Sequence, residues 1–474
     1  MDDYDENAFH QVGDKCGHFQ DRADELLRQI GNELDVRDKR YVKVLQKESE
    51  FCVRGMEAEG YFFSDIHFMS GVQTSWPNFF KEKSNFKLKS YQDYRDVLKL
   101  LQKIPKQLDQ IQILCEKGIA RKLTFHEASM SRVEKQFDNL LSVENPEDTK
   151  FFVPFESAAE DIQESAKSTI QNDVLPAFKK LRDFVLTDYK RHTRKWPGIS
   201  SVPNGEQRYQ RYLEYHTTIE GITPEEVHNM GLDEVKRLQE LALSTAGVKL
   251  GFSNATFKMV AESLKNDPDQ EFFSTDEVMK YFRNINEKVE PKLPKIMDPV
   301  LLNNDTYHLN IKPVPPGGGG YAYYKGPTVD GRRKGAFYVN INNLQNIKKF
   351  ETYSLTLHEG NPGHHLQISF NKYSPSPDFL KYTRTSYSNP GSPLGYTSHI
   401  EGWGLYSEYL GHEMGMFDDP EQEIGFYSWN LLRACRLVVD TGLHVFGWSR
   451  QRAIDYLSNN TALSLTAIEG QIDR

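Results

Sequence analysis

The sequence predicts a mainly α fold, a large helical body with a small β-sheet. Three observations predict it. Apolar residues recur at three- and four-residue spacing from the start to about Tyr189, the period of amphipathic helices. Only the stretch from about 307 to 343 has strand texture, and helix signals return from Phe350 to the end, interrupted by a Pro/Ser-rich segment from Tyr373 to Pro393. With 474 residues, 38% of them apolar and 26% charged, the chain can bury a sizeable core without staples.

In the first half, Tyr94, Val97, Leu98, Leu101, Ile104, Leu108 and Ile111 mark one face of a long helix. Turn chemistry predicts breaks at Ser75-Trp76-Pro77-Asn78, at Asn145-Pro146-Glu147-Asp148, and at Trp196-Pro197-Gly198 with Pro203-Asn204-Gly205. The last cluster is the candidate boundary between an N-terminal helical region, 1–198, and a second region, 199–474, that carries the chemistry. Next, Thr223-Pro224-Glu225-Glu226 combines an N-cap hydroxyl, a first-turn proline and a capping-box glutamate, predicting a helix to about Leu243. Helical character continues to roughly Lys292. Tyr307 to Ile311 alternates, and Gly335-Ala336-Phe337-Tyr338-Val339-Asn340 reads as a strand. Between them, Pro315-Pro316 and the glycines 317–320 are expected to form a flexible loop, since no GK[ST] follows to make a phosphate cradle. The aromatic residues of Tyr321 to Tyr324 are expected to pack.

The formal net charge of −9 comes from acids scattered among bases, which argues against nucleic acid or an anionic membrane as partner. No apolar run reaches the roughly 18 residues of a membrane span. The start, MDDYDENAF, lacks the basic and apolar regions of a signal peptide, so the cytoplasm is expected for the sequence as given, and secretion if the ends are trimmed. The sequons at Asn254, Asn304 and Asn459 are no more than chance provides in a chain this long. Cys16, Cys52, Cys115 and Cys435 have no metal-ligand spacing and are expected to be free thiols.

The chemistry concentrates in Leu355-Thr356-Leu357-His358-Glu359-Gly360-Asn361-Pro362-Gly363-His364-His365-Leu366-Gln367. In an HExxH helix two histidines one turn apart reach one Zn²⁺, and the intervening glutamate acts on a metal-activated water. Here the second histidine comes six (His364) or seven (His365) residues on. On an unbroken helix His365 would lie about 20° from the direction of His358 and His364 about 120° away. Pro362 cannot continue the helix, however, and Gly363 lets the backbone turn. Pro-Gly then behaves as a two-residue insertion that puts His364 in the second ligand's place. Downstream, Glu401-Gly402-Trp403-Gly404-Leu405-Tyr406-Ser407-Glu408 places two carboxylates seven apart on one helix face. Such a pair is costly unless exposed, paired or metal-bound. An HE-bearing helix followed by a glutamate opening a second helix is how a His₂Glu zinc site is assembled.

The pairing of HExxPGHxxQ with EGWxLYxE resembles a large family known as domain of unknown function 885 (DUF885), grouped with the thermolysin-like zinc metallopeptidases. EGWGLYSE is also similar to the segment of neutral aminopeptidases that carries their third zinc ligand. The resemblance extends through Asp330-Gly331-Arg332-Arg333, Phe337-Tyr338-Val339-Asn340, Arg436-Leu437-Val438-Val439-Asp440-Thr441-Gly442-Leu443-His444 and, more faintly, Val174 to Phe178. It implies a thermolysin-like zinc-binding helix pair, about 350–370 and 398–415, beside the small sheet. His358, His364 and Glu401 would bind Zn²⁺ and Glu359 would be the general base of a metallopeptidase acting on a peptide substrate. The strand Gly335 to Asn340, with Tyr338 and Asn340, would be the sheet edge on which an extended peptide pairs. His444 would stabilise the oxyanion, and Arg436 would hold a substrate carboxylate. Arg433 and Arg436 are alternatively expected to orient acids such as Glu401 or Asp440 by pairing. The family pattern continues beyond Arg474 into a tyrosine-bearing motif that this sequence does not include, which affects turnover more than zinc binding. The alternatives are a zinc-dependent hydrolase of another amide or ester, and a catalytically impaired helical binding protein that retains its metal. A structural zinc site has no use for a carboxylate at Glu359, which separates the readings.

Overall fold

The computed structural model describes residues 4–63, 66–69, 71–298, 308–314, 321–328, 333–377, 379–380 and 397–473. It is mainly α with one small three-stranded sheet, as the periodicity predicts. The chain forms two compact units, one of Met1–Tyr212 with Asp473–Arg474, the other of Leu213–Thr385 with Leu394–Ile472. The division falls inside the helix Gly205–Thr217, since Pro203-Asn204-Gly205 turns the chain only to start that helix.

In the first unit, α1 (Glu6–Ile30) and α2 (Val36–Glu57) form a helical hairpin, with Cys16 and Cys52 roughly equidistant from the connection. The two are joined as a disulfide with Cα atoms 6.0 Å apart, which corrects the expectation of four free thiols. Their separation of 36 residues matches no local motif, and only the folding of the hairpin brings them together. Cys115 and Cys435 are buried and not disulfide-bonded.

The helix α3 (Val72–Lys81) runs through Pro77, where a turn was expected. An interior proline costs about 3 kcal/mol, but α3 buries Val72, Pro77 and Phe80 on one face. Burying three such side chains outweighs that cost. The long α4 (Tyr91–Ala120) starts at a Ser90/Asp93 capping box and buries Val97, Leu101, Ile104, Leu108 and Ile111, the stripe read from the sequence. On it pack α6 (Glu160–Thr169) and α7 (Leu175–Thr187), with α5 (Val133–Leu141) against α7, and the core is filled by Phe80, Phe137, Phe151, Phe155 and Phe178. The expected turn at Asn145 is a single 3₁₀ turn, Pro146–Asp148. The Arg194 guanidinium ties down the Trp196-Pro197-Gly198 loop by donating to Gly198 O at 2.7 Å and Ser201 Oγ at 2.8 Å. The helix divided between the units is α8 (Gly205–Thr217).

In the second unit, α9 (Pro224–Ala242) opens on the predicted Thr223/Glu226 capping box and is followed by α10 (Phe257–Lys265) and α11 (Thr275–Val289). The sheet comprises β1 (Asn310–Pro313), β2 (Ala322–Lys325) and β3 (Ala336–Val339) in the order β1-β3-β2. β3 runs parallel to β1 and antiparallel to β2. The segment Gly335 to Asn340 is therefore not the sheet edge the sequence suggested. All four residues of β3 are buried, the signature of a central strand, and β2 is an edge. The tetraglycine 317–320, Tyr307, Asn304, Asp330 to Arg332 and most of the Tyr373 to Pro393 segment lie outside the described residues.

Six further helices follow among the described residues of the unit: α12 (Thr352–Glu359), α13 (His364–Tyr373), α14 (Thr397–Glu413), α15 (Pro420–His444), α16 (Arg450–Asn460) and α17 (Leu465–Asp473). The apolar α15 is the core helix, packed on α9, α12 and α16. Gly231 lets α9 approach it, since a Cβ there would lie 2.8 Å from Leu437 Cβ and Val438 Cγ2. Among the described residues no helix is long and apolar enough to cross a membrane.

One buried acid in this core predicts a pH dependence of stability. Burial pushes the Glu351 carboxyl up to about 7, against the pull of Lys265, Lys348 and the hydrogen bond from Tyr321. Between the ordinary value of 4.5 and 7 the folded chain holds a proton that the unfolded chain has released. Stability should therefore fall as pH rises through that window, by roughly 3 kcal/mol in all, and level off above it. Urea titrations at pH 5 and pH 8 should show this slope in the wild type and its loss in Glu351→Gln. Equal slopes would refute it.

Candidate metal centre

The first helix of the site ends where its sequence demands. α12 stops at Glu359, and α13 restarts at His364 after the Gly360-Asn361-Pro362-Gly363 link. Gly363 is needed there because a Cβ would sit 1.9 Å from His358 O. The Trp403 indole N–H holds the link by donating to Pro362 O at 2.9 Å. The break turns the His364 ring to within 4.7 Å of the His358 ring, nearly perpendicular to it. His365 points elsewhere, with its Nδ1 3.0 Å from the Tyr324 hydroxyl.

The second helix brings the acids. α14 approaches α12 through Gly404, Ser407 and Gly411, a face small enough for close packing. A Cβ on Gly404 would lie 2.5 Å from His358 Cε1, and the Ser407 hydroxyl bonds Leu357 O at 3.2 Å. Glu401 then stands over both imidazoles, 3.4 Å from His358 Nε2 and 3.8 Å from His364 Nε2. One ligand atom from each of His358, His364 and Glu401 lies within 4.8 Å of the others, a donor set that could hold a metal ion. Two imidazoles and a carboxylate suit a borderline cation such as zinc. The histidines are buried and the Glu401 side chain is 47% exposed, so the group opens toward solvent on one side.

Each imidazole is oriented from behind. His358 Nδ1 lies 2.8 Å from Glu408 Oε1, which leaves Nε2 facing Glu401. Glu408 is buried, accepts from the Ser354 hydroxyl and lies 3.4 Å from the Arg433 guanidinium of α15. Arg433 in turn donates to Trp429 O at 3.1 Å and covers the Trp429 ring. His364 Nδ1 lies 3.3 Å from Gln367 Oε1, and Gln367 donates to His399 O at 3.1 Å. Supports of this kind fix ring orientation and the nitrogen left for a metal.

The electrostatics of the group couple its acids to its imidazoles. Burial lowers the His358 imidazolium, but hydrogen bonds to Glu401 and Glu408 outweigh it and carry the group up to about 9. Burial likewise raises the Glu401 carboxyl, while His358, His364 and Arg433 hold it down at about 2. Two carboxylates thus favour positive charge at His358.

The remaining candidates are distributed around this group. Glu359 follows His358 at the end of α12, with Oε2 accepting from the Tyr324 amide of β2 at 2.7 Å. Tyr338 is in central β3, buried and stacked on Tyr323 at 5.1 Å. Asn340 shapes the turn after β3, accepting from Asn342 N at 3.1 Å. Arg436 is exposed on α15. His444 ends α15, 3.9 Å from Asp440 and about 16 Å along the helix from Arg433. The structure thus unites His358, His364 and Glu401, with Glu359 next to His358 in the chain, and does not bring His444 into that group. Sequence reasoning expected Tyr324 only to pack and gave no role to Gln367. The final glutamine of HExxPGHxxQ was a usable signal for the second of these.

Residues 1–474 match the model of the family described as bacterial protein of unknown function, DUF885. The chain belongs to the DUF885 family. No curated protein matches it. Two solved structures, both described as putative lipoproteins, share its fold. The one from Colwellia psychrerythraea has a TM-score of 0.84 at 23% identity, over 100% of this chain and 82% of that one. The one from Shewanella oneidensis, of unknown function, has a TM-score of 0.64 at 15% identity, over 99% and 82%.

Proposed function

We propose that this DUF885 chain is a zinc-dependent peptidase. The observation that carries the reading is Glu359 beside a His358/His364/Glu401 group whose ligand atoms lie within 4.8 Å of one another. Zinc held there would supply Lewis acidity, polarising a carbonyl and acidifying water toward a pKa of about 7. The chain's own residues do the rest. Glu359 accepts the proton of the attacking water and passes it to the departing amine, turning a poor leaving group into a good one. The amide of Tyr324 fixes one oxygen of Glu359 and leaves the other for the proton. Glu408 and Gln367 hold the imidazoles in place. An extended peptide would pair along β2, the edge strand next to Glu359, in the role first expected of β3.

Purified protein is expected to hold about one equivalent of zinc and to cleave unstructured peptides, with cleavage lost to a chelator and restored by zinc. His364→Ala should lose the metal while His365→Ala keeps it. The reverse pattern would overturn the ligand assignment, and metal-free, inactive wild type would overturn the function.

The Cys16–Cys52 disulfide favours an oxidising compartment over the cytoplasm. The description carried by the two solved neighbours points the same way.

A further inference from the structure

We propose that Arg333 receives the C-terminal carboxylate of a peptide substrate, which makes the centre an exopeptidase that removes a short C-terminal segment. The inference rests on the peptidase reading and narrows its substrate class. It starts from the guanidinium itself. Nε and Nη1 of Arg333 are buried, and among the described residues neither meets a hydrogen-bond acceptor. A cationic donor taken out of water without a partner is among the costlier arrangements in a fold, and an arriving anion relieves it. The planar fork of a guanidinium matches a carboxylate in a way that an ammonium does not. Arg333 also stands in the sequence Arg332-Arg333-Lys334, where positive charge is concentrated.

Position ties Arg333 to the candidate centre. A turn holds it, with Arg333 N donating to Thr328 Oγ1 at 2.9 Å and Thr328 N to Arg333 O at 2.9 Å. Two residues on is Gly335, within about 7 Å along the chain, and the Tyr324 hydroxyl lies against it where a Cβ would come to 1.8 Å. That hydroxyl meets His365 Nδ1, and the amide of the same tyrosine meets Glu359. One side chain and its backbone therefore connect the Arg333 loop to the proton acceptor. A short peptide with its scissile bond at Glu359 can extend past Tyr324 toward Arg333. Arg433, which lies behind the triad on Glu408, is already occupied, since it engages Glu408, Trp429 O and the Trp429 ring.

The test measures binding to zinc-loaded Glu359→Gln protein, so that it does not depend on turnover. Three fluorescent peptides of one sequence are compared: the free acid, the C-terminal amide, and an amide with glutamate as its last residue. The free acid should bind on the order of 10- to 100-fold tighter than either amide. Arg333→Met should erase the difference, and Arg333→Lys should keep part of it. Equal binding of acid and plain amide overturns the proposal without recourse to any Arg333 variant, so a misfolded variant cannot shelter it. Binding of the glutamate-ended amide as tightly as the acid overturns the C-terminal assignment in favour of an acidic side chain. A preference for the acid that survives Arg333→Met overturns the role of Arg333. An Arg333-dependent preference with no cleavage of the acid by the wild type upholds the carboxylate site and sinks the peptidase reading instead.

Discussion

Glu359→Gln should keep its zinc and lose peptide cleavage by about 10³-fold or more. The substitution is nearly isosteric, and a glutamine oxygen can still accept the Tyr324 amide that Glu359 now accepts at 2.7 Å. The contact between α12 and β2 therefore survives. Neither imidazole depends on Glu359 for its orientation, because Glu408 and Gln367 do that work. What disappears is basicity, since an amide neither takes a proton from water nor returns one to an amine. Zinc content by elemental analysis and kcat/KM on one peptide would be measured on the same samples. Loss of both would mean that Glu359 maintains the metal group, and loss of neither would remove it from the chemistry. A purely structural zinc site predicts retained metal and no cleavage to lose in either protein.

The parts of this site legible in the sequence were those whose cause is local. Pro362 followed directly by Gly363 favours a break between α12 and α13, so the turn of His364 toward His358 could be read from backbone chemistry alone. The companionship of Glu401 and Glu408 on one face was legible too, as was the requirement that a buried one be paired. Which partner satisfied it was not, because Glu408 meets His358 fifty residues away in sequence. Likewise, alternation identifies Ala336 to Val339 as a strand but says nothing of its rank in the sheet. That rank depends on β1 and β2 flanking it on both sides. The disulfide failed for the same reason, since the pairing of Cys16 with Cys52 is a property of how two helices meet. Pro77 shows the opposite error, in which a local breaker yields to tertiary burial.

The largest effect on metal affinity is expected at Glu408, which meets His358 among the three candidate ligands. Its side chain is 1% exposed and lies within 3.4 Å of both His358 Nδ1 and the Arg433 guanidinium, besides accepting from Ser354. Glu408→Ala leaves an imidazole N–H, a guanidinium and a hydroxyl facing a cavity, so the loss of stability should be about 3–5 kcal/mol. Without the carboxylate, His358 also loses the group that orients its ring and makes Nε2 a better donor. Zinc affinity should fall about 10- to 100-fold. Glu408→Gln separates the two roles, since it fills the space and keeps an acceptor for one neighbour while removing the charge. It should recover much of the melting temperature but little of the zinc affinity, both measured on the same preparation, the latter by competition with a chelator. Equal recovery of both would make Glu408 a packing residue. Unchanged affinity in both variants would detach it from the metal centre altogether, and the orientation of His358 would then fall to Gly404, whose missing Cβ leaves room for the ring.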